Sequence, residues 1–90
     1  MSTPQRMKTW VEATTSSRPW EDNDVTRQLA ALIPNQEMAA VIWALQRQHA
    51  LDWIKKPIPA LHGNSILSLI TTNDGEEAVW VMLEASSMWL

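Results

Sequence analysis

The stretch ALDWIKKPIPALHGNS, residues 50–65, decides the fold, because it joins two helical patterns through a rigid connector. Pro57 and Pro59 fix their own φ angles and disfavour the α conformation in the residues before them, so the preceding helix must end at this point. Gly63 permits a positive φ, and Ser65 can accept hydrogen bonds from the first N–H groups of the next helix. The sequence therefore predicts a helix, a corner and a second helix.

The chain before this stretch predicts two helices. The first lies within residues 19–34 and is ended by Pro34, and the second covers residues 35–56 with Asn35 as its cap. Segment 46–49 is polar on every side, so a bend there is the alternative to the unbroken helix that we expect. The first helix carries candidate caps and an apolar stripe, namely Asp22, Asn23 and Asp24, then Val25, Leu29, Leu32 and Ile33.

The chain after the corner predicts a short buried helix at residues 65–71 and a longer one from about Asp74 to Met88, capped by Asn73 or Asp74. The longer helix has more apolar surface than one core needs, which is typical of a dimer or partner interface. One apolar stripe should face the core and a second should point elsewhere. The core stripe is Val79, Met82, Leu83 and Ser86, and the second is Val81, Ala85 and Met88, with Trp80 rising from the glutamate side.

The N-terminal residues 1–18 are expected to form a flexible arm that precedes a helical domain at residues 19–90. A short helix is possible over Pro4–Ala13, and the following TTSS, residues 14–17, is a poor helix interior and is interpreted as a linker. The fold class predicted for the chain is all-α, a small bundle of four to five helices. Because so short a domain buries only about 60–65% of its unfolded surface, we expect it to form a dimer.

The composition narrows the choice of partner and compartment. The net charge is −3, and no Lys or Arg follows Lys56. The second half therefore cannot neutralise phosphates, so we expect no intrinsic nucleic acid binding and a basic protein surface as the counterpart. No cysteine, secretory signal or long apolar run is present, which favours a cytoplasmic protein without a membrane partner. The acidic residues after the corner are Asp74, Glu76, Glu77 and Glu84.

No constellation of residues favours an enzyme. His49 and His62 are separated and lack the spacing of a metal site. Ser65 has no nucleophile motif around it, and two glycines cannot supply a loop that cradles a nucleotide. We therefore expect a binding protein with no catalytic residues, no metal and no cofactor.

The order Trp53-Ile54, Pro57, Ala60-Leu61, Gly63, Ser65 resembles the toxin-binding domain at the C-terminus of Xre/MbcA/ParS-type antitoxins. Ala50, Leu69, Gly75, Val79 and Leu83 extend the resemblance over roughly the last half of the chain. The resemblance implies a partner toxin of the RES or ParT type, which consumes NAD or transfers ADP-ribose from it. It also implies that the C-terminal end of the domain blocks the toxin.

Within this hypothesis, an antitoxin or immunity protein occludes the toxin's NAD-binding cleft with its last helix and tail. One alternative is a DNA-binding regulator, since full-length relatives usually carry a helix-turn-helix, but the basic residues before Pro34 are scattered. Another is a module that binds only itself. The candidate partner-binding residues are Trp80, Glu84, Met88, Trp89 and Leu90, and the structural corner comprises Trp53, Pro57, Leu61, Gly63 and Ser65.

Overall fold

A computed structural model describes residues 5–87, with the surroundings of the side chains through residue 85. This part of the chain contains no β-strand, only one isolated bridge between Ile58 and Asn64, so the all-α prediction is confirmed. The predicted dimer stays a prediction. The helices are α1 (Lys8–Ser17), α2 (Asp24–Leu32), α3 (Gln36–Gln46), α4 (Ala50–Lys55), α5 (Ile66–Leu69) and α6 (Asn73–Ser87), with 3₁₀ turns at Gln5–Met7, Arg47–His49 and Pro59–Leu61.

The chain divides into two compact units, Met1–Leu51 and Asp52–Leu90, and the predicted division into residues 1–18 and 19–90 stays a prediction. In the first unit, α1 and α2 both pack against α3. The predicted linker at residues 14–17 is wrong, because α1 continues through Ser17. Its Thr15 and Ser17 hydroxyls donate back to the carbonyls of Val11 and Ala13, at 2.8 and 3.0 Å, the arrangement that Ser and Thr side chains commonly adopt inside a helix.

The N-terminal segment of the first unit contributes to its core. Met7 and Val11 are buried, and Lys8 Nζ lies 3.1 Å from Glu37 Oε1. The predicted flexibility of residues 1–18 stays a prediction. What the structure shows is that the described part of this segment forms a 3₁₀ turn and a helix with one apolar side.

The predicted caps of α2 and α3 are confirmed. Asn23 accepts a hydrogen bond from the Thr26 N–H at 3.0 Å, and the Thr26 hydroxyl accepts one from the Asn23 N–H at 2.9 Å. Asn35 accepts from the Met38 N–H at 3.1 Å. The stripe predicted on α2 needs one correction, because Leu32 lies at the C-terminal end of that helix and is 41% exposed.

The prediction of an unbroken helix over residues 35–56 is wrong. The helix ends at Gln46, and Arg47 has φ 51° and ψ −125°, a conformation that favours glycine and costs an arginine about 1–3 kcal/mol. Two contacts hold the Arg47 side chain in this conformation. Arg47 Nη1 lies 2.7 Å from a Glu21 carboxylate oxygen, and the guanidinium lies over the Trp43 ring at 5.2 Å from its centroid.

Within residues 5–87, none of the helices has both the length and the hydropathy required to cross a bilayer.

Candidate partner-binding groove

The corner at the start of the second unit is built by local hydrogen bonds. The Gly63 and Leu61 N–H groups both donate to the Ile58 carbonyl, at 3.0 and 2.9 Å, and the Ile58 N–H donates to the Asn64 carbonyl at 3.1 Å. Gly63 has φ 83°, as predicted, and His62 before it is also left-handed at φ 57°. Leu61 is 4% exposed, which confirms it as the apolar anchor of the corner.

Helix α5 starts where the sequence predicted and leads directly into α6. The Ser65 hydroxyl accepts a hydrogen bond from the Ser68 N–H at 3.2 Å, so Ser65 is the cap of α5. The predicted cap of α6 needs a correction. The Thr72 hydroxyl accepts from the Gly75 N–H at 3.0 Å, which places this cap contact one residue before Asn73.

Gly75 sets the distance between α5 and α6. A Cβ atom at this position would lie 1.9 Å from the Leu69 carbonyl oxygen and 2.9 Å from the Thr72 hydroxyl. Only glycine therefore allows the backbone of α6 to approach the end of α5 this closely. Helix α6 packs against α5 and against the 3₁₀ turn Pro59–Leu61, so this approach also positions α6 beside the corner.

The two apolar stripes of α6 face in different directions, as predicted. Val79, Met82 and Leu83 are buried, whereas Val81 is 51% exposed and Ala85 is exposed. Among the described residues of the second unit, Val81 is the only large hydrophobic residue with a side chain this exposed. An exposed apolar stripe on a helix is a feature of interaction surfaces.

Trp80 was predicted to lie in the partner-binding surface, and the structure corrects this. Its side chain is fully buried, because the buried arc of α6 is wider than the predicted stripe and extends past Val79 to Trp80. Burying an indole ring contributes about 4–6 kcal/mol. This exceeds the cost of about 1–3 kcal/mol for its buried Nε1–H, which has no hydrogen-bond partner among the described residues.

An open groove of about 430 Å³ lies between the corner and α6 in the second unit. The corner contributes Ala60 and Leu61, and α5 contributes Leu69. The exposed stripe of α6 contributes the opposite side, with Ala78, Val81 and Ala85. Most of the side chains that line this groove are apolar, and three of them are alanines.

Acidic residues accompany the groove along α6. Glu77 and Glu84 lie four residues before and three residues after Val81, so their side chains border its exposed side. Glu84, a predicted partner-binding residue, is half-buried, and Glu77 is exposed. Glu76 was expected to belong to the same acidic surface, but it is 4% exposed and faces the buried side of α6.

The other predicted site residues divide into two groups. Trp53 is half-buried in α4, and Pro57 is exposed two residues after the end of that helix, so both belong to the entry of the corner and neither lines the groove. Met88, Trp89 and Leu90 lie outside the described residues. Within the described part, no group of three or more His, Asp or Glu side chains is arranged to hold a metal ion.

Sequence reasoning identified one side of the groove and missed the other. Val81 and Ala85 were predicted from the spacing of apolar residues on α6, and Ala78 continues that spacing one turn earlier. Ala60 and Leu69 lie in other elements and meet α6 only through the turn geometry around Gly63 and Gly75. No local pattern in the sequence indicates that these side chains share one groove.

Searches of protein-family models, of curated proteins and of solved structures find no match to this chain.

Proposed function

We propose that this protein is an antitoxin- or immunity-type inhibitor. It binds a RES- or ADP-ribosyltransferase-like toxin and occludes the toxin's NAD-binding cleft. The observation that carries the proposal is the apolar groove along α6, bordered by Glu77 and Glu84 and exposed on a unit with no basic residue after Lys56.

The groove supports a role in binding a protein. Val81 is 51% exposed beside the exposed Ala78 and Ala85, so the stripe gains contact area only when another surface covers it. Interfaces between proteins combine an apolar centre with a polar rim. The groove has this arrangement, with apolar lining from both sides and His62 and Asn64 at the corner.

The charge of the second unit supports a cationic partner. A cleft that binds the pyrophosphate of NAD must present positive charge or hydrogen-bond donors. Carboxylates on an inhibitor are attracted to the same groups without providing a phosphate. The second unit has five acidic residues and two basic ones, Lys55 and Lys56, and both basic residues precede the corner.

Four of the residues that carry the resemblance to the antitoxins also shape the groove. Leu61 anchors the corner, Gly63 supplies its left-handed turn, Ser65 caps α5, and Gly75 permits the approach of α6. This overlap supports the antitoxin hypothesis for this chain, because these four matched positions shape the candidate binding surface.

The test is affinity capture from the source cell, followed by an assay of the captured protein for NAD consumption. We expect the captured protein to hydrolyse NAD or to transfer ADP-ribose, and we expect the purified chain to inhibit it at a stoichiometric ratio. A captured partner that does not consume NAD, or one whose activity is unaffected by excess chain, would contradict the proposal.

A further inference from the structure

We propose that the groove accepts one amphipathic helix of the partner, with an apolar face of two turns and basic residues along one edge. This inference rests on the proposed function, because it names the segment of the partner that the chain would hold. It concerns the groove between the corner and α6 and does not involve the last three residues of the chain.

The length of the exposed stripe corresponds to two turns of a helix. From Ala78 to Ala85 the stripe advances seven residues, which corresponds to about 10.5 Å or two helical turns. A partner helix placed alongside would present apolar side chains at i, i+4 and i+7 to this length. Small residues allow helix axes to approach closely, and Ala78, Ala85 and Ala60 provide such positions on both sides of the groove.

The charge around the groove determines which helix fits. Asp74, Glu77 and Glu84 lie on the accessible part of α6, so a helix docked on Val81 would have carboxylates at its side. Lysine or arginine at that edge would be attracted, and glutamate would be repelled. No Lys or Arg follows Lys56 in the sequence, so α6 itself carries carboxylates and no basic side chain.

The same charges disfavour a second copy of this chain as the occupant. Two copies joined through their grooves in a symmetric arrangement would bring the same surface of each together, including Glu77 and Glu84 from both. Like charges placed opposite one another at an interface are unfavourable. A dimer, if the chain forms one, should therefore use a surface other than this groove.

The test selects binders from a phage-displayed library of 16-residue helical peptides, using the full chain as bait. Two variants change the groove at one position: Val81→Lys removes the apolar contact and adds a positive charge that would repel a basic partner, and Val81→Glu removes the same contact but adds a negative charge that would attract one. Thr71→Lys is the matched control, since it places the same positive charge on an exposed residue outside the groove. Circular dichroism establishes that each variant retains its helices.

We expect the selected peptides to be amphipathic with a basic edge. They should bind Val81→Lys at least about tenfold more weakly than the original chain, and Val81→Glu by a smaller factor, with Thr71→Lys unchanged. Acidic or uncharged selected peptides, equal loss with both Val81 variants, or no peptide recovered above the bait-free background would overturn the inference. Sedimentation showing a dimer that Val81→Lys dissociates would also overturn it, because a second copy would then occupy the groove.

The outcome separates this inference from the proposed function. If the Val81 variants do not change peptide binding while the chain still inhibits a captured NAD-consuming enzyme, the helix inference fails and the inhibitor proposal stands. If basic helices bind the groove but no captured partner consumes NAD, the groove assignment stands and the inhibitor proposal fails.

Discussion

Replacing Gly75 by alanine is predicted to destabilise the second unit, although alanine is the better helix former. Gly75 lies in the first turn of α6, where a substitution by alanine would ordinarily stabilise a helix by about 1 kcal/mol. The added methyl group would lie 1.9 Å from the Leu69 carbonyl oxygen. Relief of this overlap requires the backbones of α5 and α6 to move apart by about 1.5 Å, since ordinary contact begins at 3.4 Å.

The balance of these effects gives the expected magnitude. Forcing extra atoms into a packed site costs about 1–3 kcal/mol and occasionally more, and this site is bounded by backbone, which cannot rotate away. The upper end of that range, about 3 kcal/mol, applies to an overlap with backbone, and subtracting the gain of about 1 kcal/mol in helix propensity leaves an expected net loss of about 2 kcal/mol in the free energy of unfolding. The Gly75→Ala substitution should also widen the groove, because Gly75 positions α6 beside the corner.

Urea denaturation followed by circular dichroism at 222 nm measures this loss. Gly63→Ala is the matched control, because Gly63 has φ 83° but open space around a Cβ atom, so its cost is conformational and about 1–2 kcal/mol. The steric argument requires Gly75→Ala to destabilise the chain and to shift the signals of Leu69 and its neighbours in NMR spectra. Equal or greater stability for Gly75→Ala would refute it, because helix propensity alone would then decide the outcome.

Three further predictions concern the cap, the tail and nucleic acid. Ser65→Ala should lower the free energy of unfolding by about 1 kcal/mol, because α5 loses the hydroxyl that accepts from Ser68, and denaturation with no change in midpoint would contradict this. Truncation after Ala85 should weaken inhibition in an NAD-consumption assay while helicity is retained, and undiminished inhibition would locate the inhibitory surface elsewhere. The full chain should show no sequence-selective binding to duplex DNA from its own upstream region in a gel-shift titration, since it is acidic, and selective binding at nanomolar protein would restore the regulator hypothesis.

The corner was predictable because its chemistry is local. Pro57 and Pro59 end a helix, Gly63 takes a positive φ, and Ser65 caps the helix that follows. Each of these effects depends on neighbouring residues and not on distant parts of the chain. The caps Asn23 and Asn35 were predictable for the same reason, since each acts on N–H groups three residues away.

The errors arose where distant residues decide the conformation. Arg47 ends α3 in a conformation that favours glycine, held there in part by Glu21, which lies 26 residues away in the chain. Trp80 was assigned to the surface because helical periodicity specifies the centre of a buried face but not its width. The groove was half-predicted for a similar reason, since α6 shows its exposed stripe in sequence and the corner side appears only after folding.

The most direct test of the central claim is an inhibition titration of the NAD-consuming enzyme captured from the source cell, with the full chain and with its Val81→Lys and Thr71→Lys variants. We predict that the full chain and Thr71→Lys abolish NAD consumption at a stoichiometric ratio, and that Val81→Lys, folded to the same extent, requires at least about ten times more protein. Equal inhibition by all three would show that the toxin does not depend on the groove along α6, and no inhibition by any of them would show that the chain is not an inhibitor of this enzyme.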